Sequence, residues 1–258
     1  MSVETIEAAP PPADHRISYG IDPFHFCDLR VPDKKGPHPV AVMVHGGFWR
    51  SVYGLRYLGH ICAALTSAGI ATWNIEYRRL GNPGGGWPGT FDDVSNAVDH
   101  VAAVANDFNL DLNRMIAIGH SAGGHLALWL TTQKKPLRGV VSLAGVVDLR
   151  RAWELRLSDT VVADLLGGTP NEVPERYEFA SPIEQLPLGI PQKLFHGTAD
   201  TSVPYEISQR YADTAQLRGD DAELITLENA GHFELVDPRT REFDLVRDAA
   251  LSLIAGVK

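Results

Sequence analysis

The chain has 258 residues, 44% of them apolar and 21% charged, with a formal net charge of −9. That size and balance fit one ordinary α/β domain with a large core, and they exclude a disordered or fibrous chain. The acidity disfavours nucleic acid, which needs a basic face, and gives no reason to expect an anionic membrane surface as partner.

Residues 1–15 carry Pro10-Pro11-Pro12 and few apolar side chains, and read as a mobile arm ahead of a single domain over 16–258. The start has neither the basic residues nor the apolar run of a signal peptide, and no stretch reaches the ~18 apolar residues of a membrane span. A cytoplasmic protein is therefore expected. Downstream, short β-branched runs alternate with amphipathic ones, the pattern of a mostly parallel sheet covered by helices. Phe24 to Val31 reads as an early antiparallel strand, and Val40–Val44 as a strand buried on both faces. Leu55, Leu58, Ile61, Cys62 and Leu65 recur at helical spacing, with Gly69 placed to end that helix. A strand over Ile70–Ile75, a helix through Val94, Val98, Val101 and Ala105, and a strand over Met115–Ile118 follow. Next come a helix over Ala122–Leu130 and a strand over Val140–Leu143. Residues 148–190 break the rhythm and read as a small lid or cap inserted in the domain. Strands at Lys193–Phe195 and Glu223–Leu227 and helices over Tyr205–Leu217 and Phe243–Ile254 complete the set. Cys27 and Cys62 stand in no C-x-x-C pair and read as free thiols, though spacing leaves a disulfide open. No His/Asp/Glu cluster has metal spacing.

Chemistry concentrates at the ends of these strands. Met115–Ile118 runs into Gly119-His120-Ser121-Ala122-Gly123, the G-x-S-x-G arrangement between a strand and a helix. So sharp a turn needs small neighbours, and it lifts the serine to a helix N-terminus where N–H groups favour negative charge. Ser121 is thus the candidate nucleophile. Val40–Val44 ends in His45-Gly46-Gly47-Phe48-Trp49. A Gly-Gly turn leaves backbone N–H groups open to a ligand, so Gly47, Phe48 and Ala122 are the candidate oxyanion donors. His45 reads as a brace for that loop. A serine nucleophile of this type is followed in the chain by an acid and then a histidine. Asp200, in His196-Gly197-Thr198-Ala199-Asp200, and His232, in Gly231-His232-Phe233, stand in that order at the ends of neighbouring strands. Asp148 is the competing acid. His125 and His196 read as structural, and Trp87, in the Gly81–Gly89 loop, as a possible wall of the substrate site.

These motifs, together with Glu76-Tyr77-Arg78, resemble the esterase and arylformamidase branch of the α/β hydrolases. The H-G-G-aromatic-W loop is similar to that of kynurenine-formamidase-like proteins, and has Phe48 where related esterases carry a third glycine. The resemblance covers about residues 17–255. It implies the α/β-hydrolase fold, with a mostly parallel sheet of about eight strands, flanking helices and the small cap. It also implies a small-molecule substrate, either a carboxylic ester or an N-formyl aryl amide, cleaved through an acyl-serine without a cofactor. Phe48, Trp49 and Trp153 are placed to crowd a small acyl pocket or to stack on an aryl group. A non-catalytic binding protein on the same fold is the remote alternative. The sequence shows neither the oligomeric state nor the natural substrate.

Overall fold

The computed structural model describes residues 9–256. Its strands are β1 (His15–Ser18), β2 (Phe26–Arg30), β3 (His38–Val44), β4 (Ala71–Ile75), β5 (Leu110–His120), β6 (Val140–Leu143), β7 (Gln192–Gly197) and β8 (Ala222–Leu227). They form one sheet in the order β1-β2-β4-β3-β5-β6-β7-β8. β1, β2 and β4 pair antiparallel, and every pair from β4 to β8 is parallel. This is the expected α/β-hydrolase sheet.

The exchange of β3 and β4 in that order positions the site. It seats β3 beside β5, with Val44 level with Gly119. The loop leaving β3 and the turn leaving β5 therefore emerge side by side. β7 and β8 are likewise parallel, with Gly197 level with Leu227, so their exit loops share the same edge.

All seven residues of β3 are buried. Successive side chains alternate faces, so Val40, Val42 and Val44 enter one core and Ala41 and Met43 the other. Helices α1 (Gly59–Ser67) and α8 (Arg241–Ala255) cover the Met43 face with Ile61, Leu65, Phe243 and Val246. Helices α2 (Gly89–Val104), α3 (Ala122–Thr132) and α7 (Glu206–Leu217) cover the other with Val94, Leu126 and Ile207. Burying a Val, Leu, Ile or Phe side chain contributes about 1.5–3 kcal/mol, which makes this two-faced packing the main source of stability. Gly69, at φ +100°, takes the left-handed turn just after α1.

Between β6 and β7 lie α4 (Leu149–Glu154), α5 (Val161–Leu166) and α6 (Pro174–Ala180). Their Leu149, Val161, Leu165 and Tyr177 join the core on the Val42 face. The N-terminal segment departs from expectation. Residues 1–8 lie outside the described residues, but 9–14 do not form a loose arm. Arg30 donates to the Pro11 carbonyl at 2.7 Å, Asp14 N–H to Leu29 O at 3.1 Å and Val31 N–H to the Asp14 carboxylate at 2.8 Å. A proline run cannot pair its missing N–H groups, yet its carbonyls remain free to accept. β1 then begins at His15, an edge strand too polar to be read from hydropathy. Cys27 and Cys62 are free, buried thiols belonging to opposite cores. No helix among the described residues is long and apolar enough to cross a membrane.

Candidate active site

Ser121 sits at the turn between β5 and α3 with φ 58° and ψ −123°. A non-glycine residue adopts a positive φ only where its surroundings over-determine it. Here they do. Ser121 N–H donates to Leu143 O at 2.8 Å, and its carbonyl accepts from Gly124 N–H at 2.9 Å. A Cβ at Gly119 would collide with the Gly123 carbonyl, and one at Gly123 with that of Val44. The small neighbours are thus a steric requirement of the turn. Ser121 is only 3% exposed, yet it lines a cavity of about 600 Å³.

The loop after β3 forms the adjoining wall. Gly47, Phe48 and Trp49 all have positive φ, at 103°, 49° and 54°. The N–H groups of Gly47 and Phe48 meet no acceptor among the described residues, and Ala122 opens α3, where helical N–H groups lack intrahelical partners. Gly47, Phe48 and Ser121 line the same cavity. A buried brace holds the loop. His45 Nε2 lies 3.0 Å from Glu76 Oε1, its ring stacks on Tyr77 at 4.4 Å, and Tyr77 donates to His45 O at 2.7 Å. Glu76 also accepts from Leu55 N–H and pairs with Arg79 at 3.1 Å. Burial alone would raise the Glu76 carboxyl, but His45, Arg79 and the Tyr77 amide together outweigh it and hold it below the usual range.

His232, on the loop after β8, also lines the cavity. Its Nδ1 lies 2.6 Å from Asp200 Oδ2, so Nδ1–H donates and Nε2 is left as the free acceptor. The other oxygen, Oδ1, accepts from Ser202 N–H at 2.8 Å and Val203 N–H at 2.9 Å. Burial pushes the Asp200 carboxyl up. Hydrogen bonds from His196, His232 and Val203 and the charge of His232 outweigh that and hold it well below its ordinary value. His196 is wholly buried. Its Nδ1 accepts from the Ser208 hydroxyl at 2.7 Å and its Nε2–H donates to Val203 O at 2.9 Å, which leaves Asp200, at 3.4 Å, a secondary contact. Asp148 lies apart from this set. It caps α4 by accepting from Arg151 N–H at 2.9 Å and pairs with Arg210 at 3.2 Å.

Two contributors escaped sequence reading. Gly46 N–H donates to the Tyr57 hydroxyl at 2.5 Å, and Tyr57 lies 3.1 Å from His120 Nδ1. The other nitrogen of His120, Nε2, is 2.8 Å from His232 O. An amide can only donate and a carbonyl can only accept, so the protons run one way along this chain. Tyr57 donates to Nδ1, and His120 is neutral with its proton on Nε2. Burial, and then the His232 charge, push His120 down to about 3, consistent with that state. The chain ties the β3 loop, the serine turn and the His232 loop together. Nothing in the sequence near Tyr57 marks it, since it falls between the apolar positions Leu55 and Leu58.

Three aromatics expected at the substrate are placed elsewhere. Trp49 is fully buried and packs edge-on against His125 at 5.3 Å. Trp87 lines a separate cleft with Phe91, Trp129 and Phe179. Trp153 packs against the core of the Val42 face. Phe48 and Trp49 are consecutive positive-φ residues; Phe48 lines the cavity while also packing on the core, whereas Trp49 is wholly within it. Likewise, no residue of the 148–190 insertion lines the Ser121 cavity.

Known proteins share this framework. The chain is 28% identical to a probable isoprenylcysteine alpha-carbonyl methylesterase of Oryza sativa subsp. japonica, over 92% of this chain and 63% of that protein. It is 29% identical to esterase LipC of Mycobacterium tuberculosis, over 86% of this chain and 60% of that one. It therefore spans about three fifths of the length of these relatives. A truncated form of a carbohydrate esterase from gut microbiota superposes with a TM-score of 0.81 at 21% identity, covering 96% of this chain and all of that one, a likeness of fold. The BD-FAE family model matches residues 27–214, and the chain belongs to that family of the α/β-hydrolase superfamily.

Proposed function

We propose that the chain is a serine esterase that cleaves small carboxylic esters through an acyl-Ser121 intermediate. One observation carries this reading: a histidine whose Nδ1–H is held by a buried carboxylate at 2.6 Å opens onto the same cavity as the strained serine. His232 Nε2 takes the Ser121 proton as Oγ attacks the acyl carbon. Asp200 fixes the tautomer and stabilises the imidazolium. The oxyanion that forms meets the N–H groups of Gly47, Phe48 and Ala122, and one such donor lowers the barrier by about 3–4 kcal/mol. Collapse expels the alcohol, which takes the proton from His232. Water, activated by the same imidazole, then releases the acid. The relatives' names, methylesterase and esterase, agree with this reading.

The second reading, hydrolysis of an N-formyl aryl amide, draws on the likeness of the His45-Gly46-Gly47-Phe48-Trp49 loop to that of kynurenine-formamidase-like proteins, with Phe48, Trp49 and Trp153 as candidates to crowd a small acyl pocket. Of these three, only Phe48 lines the cavity. The test is a burst assay. Wild type releases one equivalent of nitrophenol from 4-nitrophenyl acetate or butyrate before steady turnover. Ser121→Ala shows no burst and loses about six decades of turnover. Turnover retained in Ser121→Ala, or N-formylkynurenine cleaved faster than every short ester, overturns the proposal.

A further inference from the structure

We propose that Arg56 forms an anion-recognising subsite in the Ser121 cavity, so that the preferred ester carries a carboxylate on an apolar, typically aryl, group. This rests on the reading of Ser121 as nucleophile and goes further, to the class of ester. The cavity wall has two characters. One is apolar and open: Val52 is 79% exposed, Tyr53 52% and Phe233 42%. Of the eight large apolar side chains exposed among the described residues, three lie on this one wall. Open apolar side chains gathered around a reactive group are the surface a substrate covers.

The other character is a single charge. Apart from the imidazoles of His120 and His232, Arg56 is the one ionisable group of fixed charge on the wall, and no Asp or Glu lines it. The nearby arginines are committed: Arg78 to Asp93, Arg79 to Glu76 and the Tyr53 carbonyl, and Arg50 to Ser158 O. The Arg56 carbonyl accepts from Gly59 N–H, but its guanidinium has no hydrogen bond or ion pair among the described residues. It also faces a neighbouring hollow that contains Asp28, but both oxygens of Asp28 are taken by Arg16, at 2.8 and 3.0 Å. Its backbone, by contrast, is fixed. The preceding Leu55 donates its N–H to Glu76, and the following Tyr57 holds Gly46. A free guanidinium on an anchored stem is organised to meet a planar carboxylate with two parallel hydrogen bonds. The net charge of −9 repels anions at a distance, whereas a local cation acts within a Debye length of ~8 Å at physiological salt.

Two matched pairs of esters test this, one for each side of the scissile bond. Phenyl hydrogen adipate is compared with phenyl hexanoate, and 4-(carboxymethyl)phenyl acetate with 4-ethylphenyl acetate, on wild type, Arg56→Gln and Arg56→Lys. In wild type, the anionic member of at least one pair has the higher kcat/KM, by about tenfold, and the difference lies in KM. Arg56→Gln abolishes that preference, Arg56→Lys keeps part of it, and 1 M salt shrinks it in wild type. A fluorophosphonate that labels Ser121 identifies any variant that has failed to fold. Two outcomes overturn the subsite: neutral esters preferred in both pairs, or an anionic preference that survives in Arg56→Gln. Wild type that turns over none of the four overturns the esterase reading itself, a separate failure.

Discussion

The Ser121 turn has two sides, and its two flanking histidines show how differently they are built. On the mouth side, His120 is locked between Tyr57 and the His232 carbonyl, in contact with a cavity lined by free N–H groups and positive-φ backbone. On the underside, His125 donates to Ala180 O at 2.8 Å and sits edge-on to Trp49 and Phe91, in an aromatic cluster continued by Trp129, Trp87 and Phe179. Both imidazoles are buried. One ties the Ser121 turn to the His232 loop, and the other packs beneath that turn. Aromatic residues thus stand on both sides, Phe48, Tyr53, Tyr57 and Phe233 on the mouth and Trp49, Phe91 and Trp129 beneath, and what sets the front apart is strained backbone and unspent donors.

The sharpest break between the two sides concerns the carboxylates. Asp200→Asn leaves the shape intact but deprives His232 of its charged partner, and turnover falls by about four decades. Asp148→Asn disturbs a helix cap and an ion pair on the insertion, and changes turnover less than about threefold while lowering stability by ~1 kcal/mol. Steady-state kinetics on the two variants, with 4-nitrophenyl butyrate, check both. An inactive Asp148→Asn beside an active Asp200→Asn would reverse the assignment.

The underside makes a prediction about acid. Burial pushes His125 down to about 4. An imidazole kept neutral in the fold but free to protonate when unfolded gives the unfolded state more protons below its ordinary value of about 6.5. Stability on this account is unaffected above that pH, and falls as pH drops from about 6.5 toward 4. By pH 4.5 the loss is on the order of 3 kcal/mol. In His125→Gln the side chain can still donate to Ala180 O, but this contribution to the slope is gone. Thermal melts of wild type and variant between pH 7.5 and 4.5 measure it. The variant's melting temperature declines less, by on the order of 5 °C. A parallel decline in both would show that His125 plays no part.

How much of this was legible depended on whether the cause was local. The sheet was readable because β3, β6 and the 115–120 half of β5 are buried and leave apolar runs, whereas the partly exposed 110–114 half of β5 does not. Ser121 was readable because its turn tolerates only glycine at 119 and 123, which prints a pattern in the chain. Asp200 and His232 were readable because chain order and strand ends place them together. The edge strand β1 was not, since three of its four residues are exposed and only Ile17 packs on the core. Nor was the direction of the aromatics. Trp49 follows Phe48 in sequence, and nothing in that order tells which of the two lines the cavity and which is wholly buried. Tyr57 was hidden for a third reason. Its partners, Gly46 and His120, come from two other elements that meet only once β3 is seated beside β5.

Tyr57 offers the smallest effect and the most discriminating one. Tyr57→Phe keeps the ring and its packing but removes the oxygen that accepts from Gly46 N–H and donates to His120 Nδ1. A buried N–H left without an acceptor costs about 1–3 kcal/mol. Gly46 adjoins Gly47, so that cost is relieved by movement of the loop whose N–H groups face the oxyanion. His120 also loses the donor that keeps its proton on Nε2, the nitrogen bonded to His232 O. Both consequences fall on the transition state and neither on the apolar wall that holds the ground-state ester. The expected result is kcat lowered about tenfold with KM changed less than about threefold. Tyr57→His, which can restore a polar atom at that position, recovers part of the loss if hydrogen bonding is the cause. A rise in KM at constant kcat would mean that Tyr57 shapes the cavity wall and that the relay through His120 has no bearing on the chemistry.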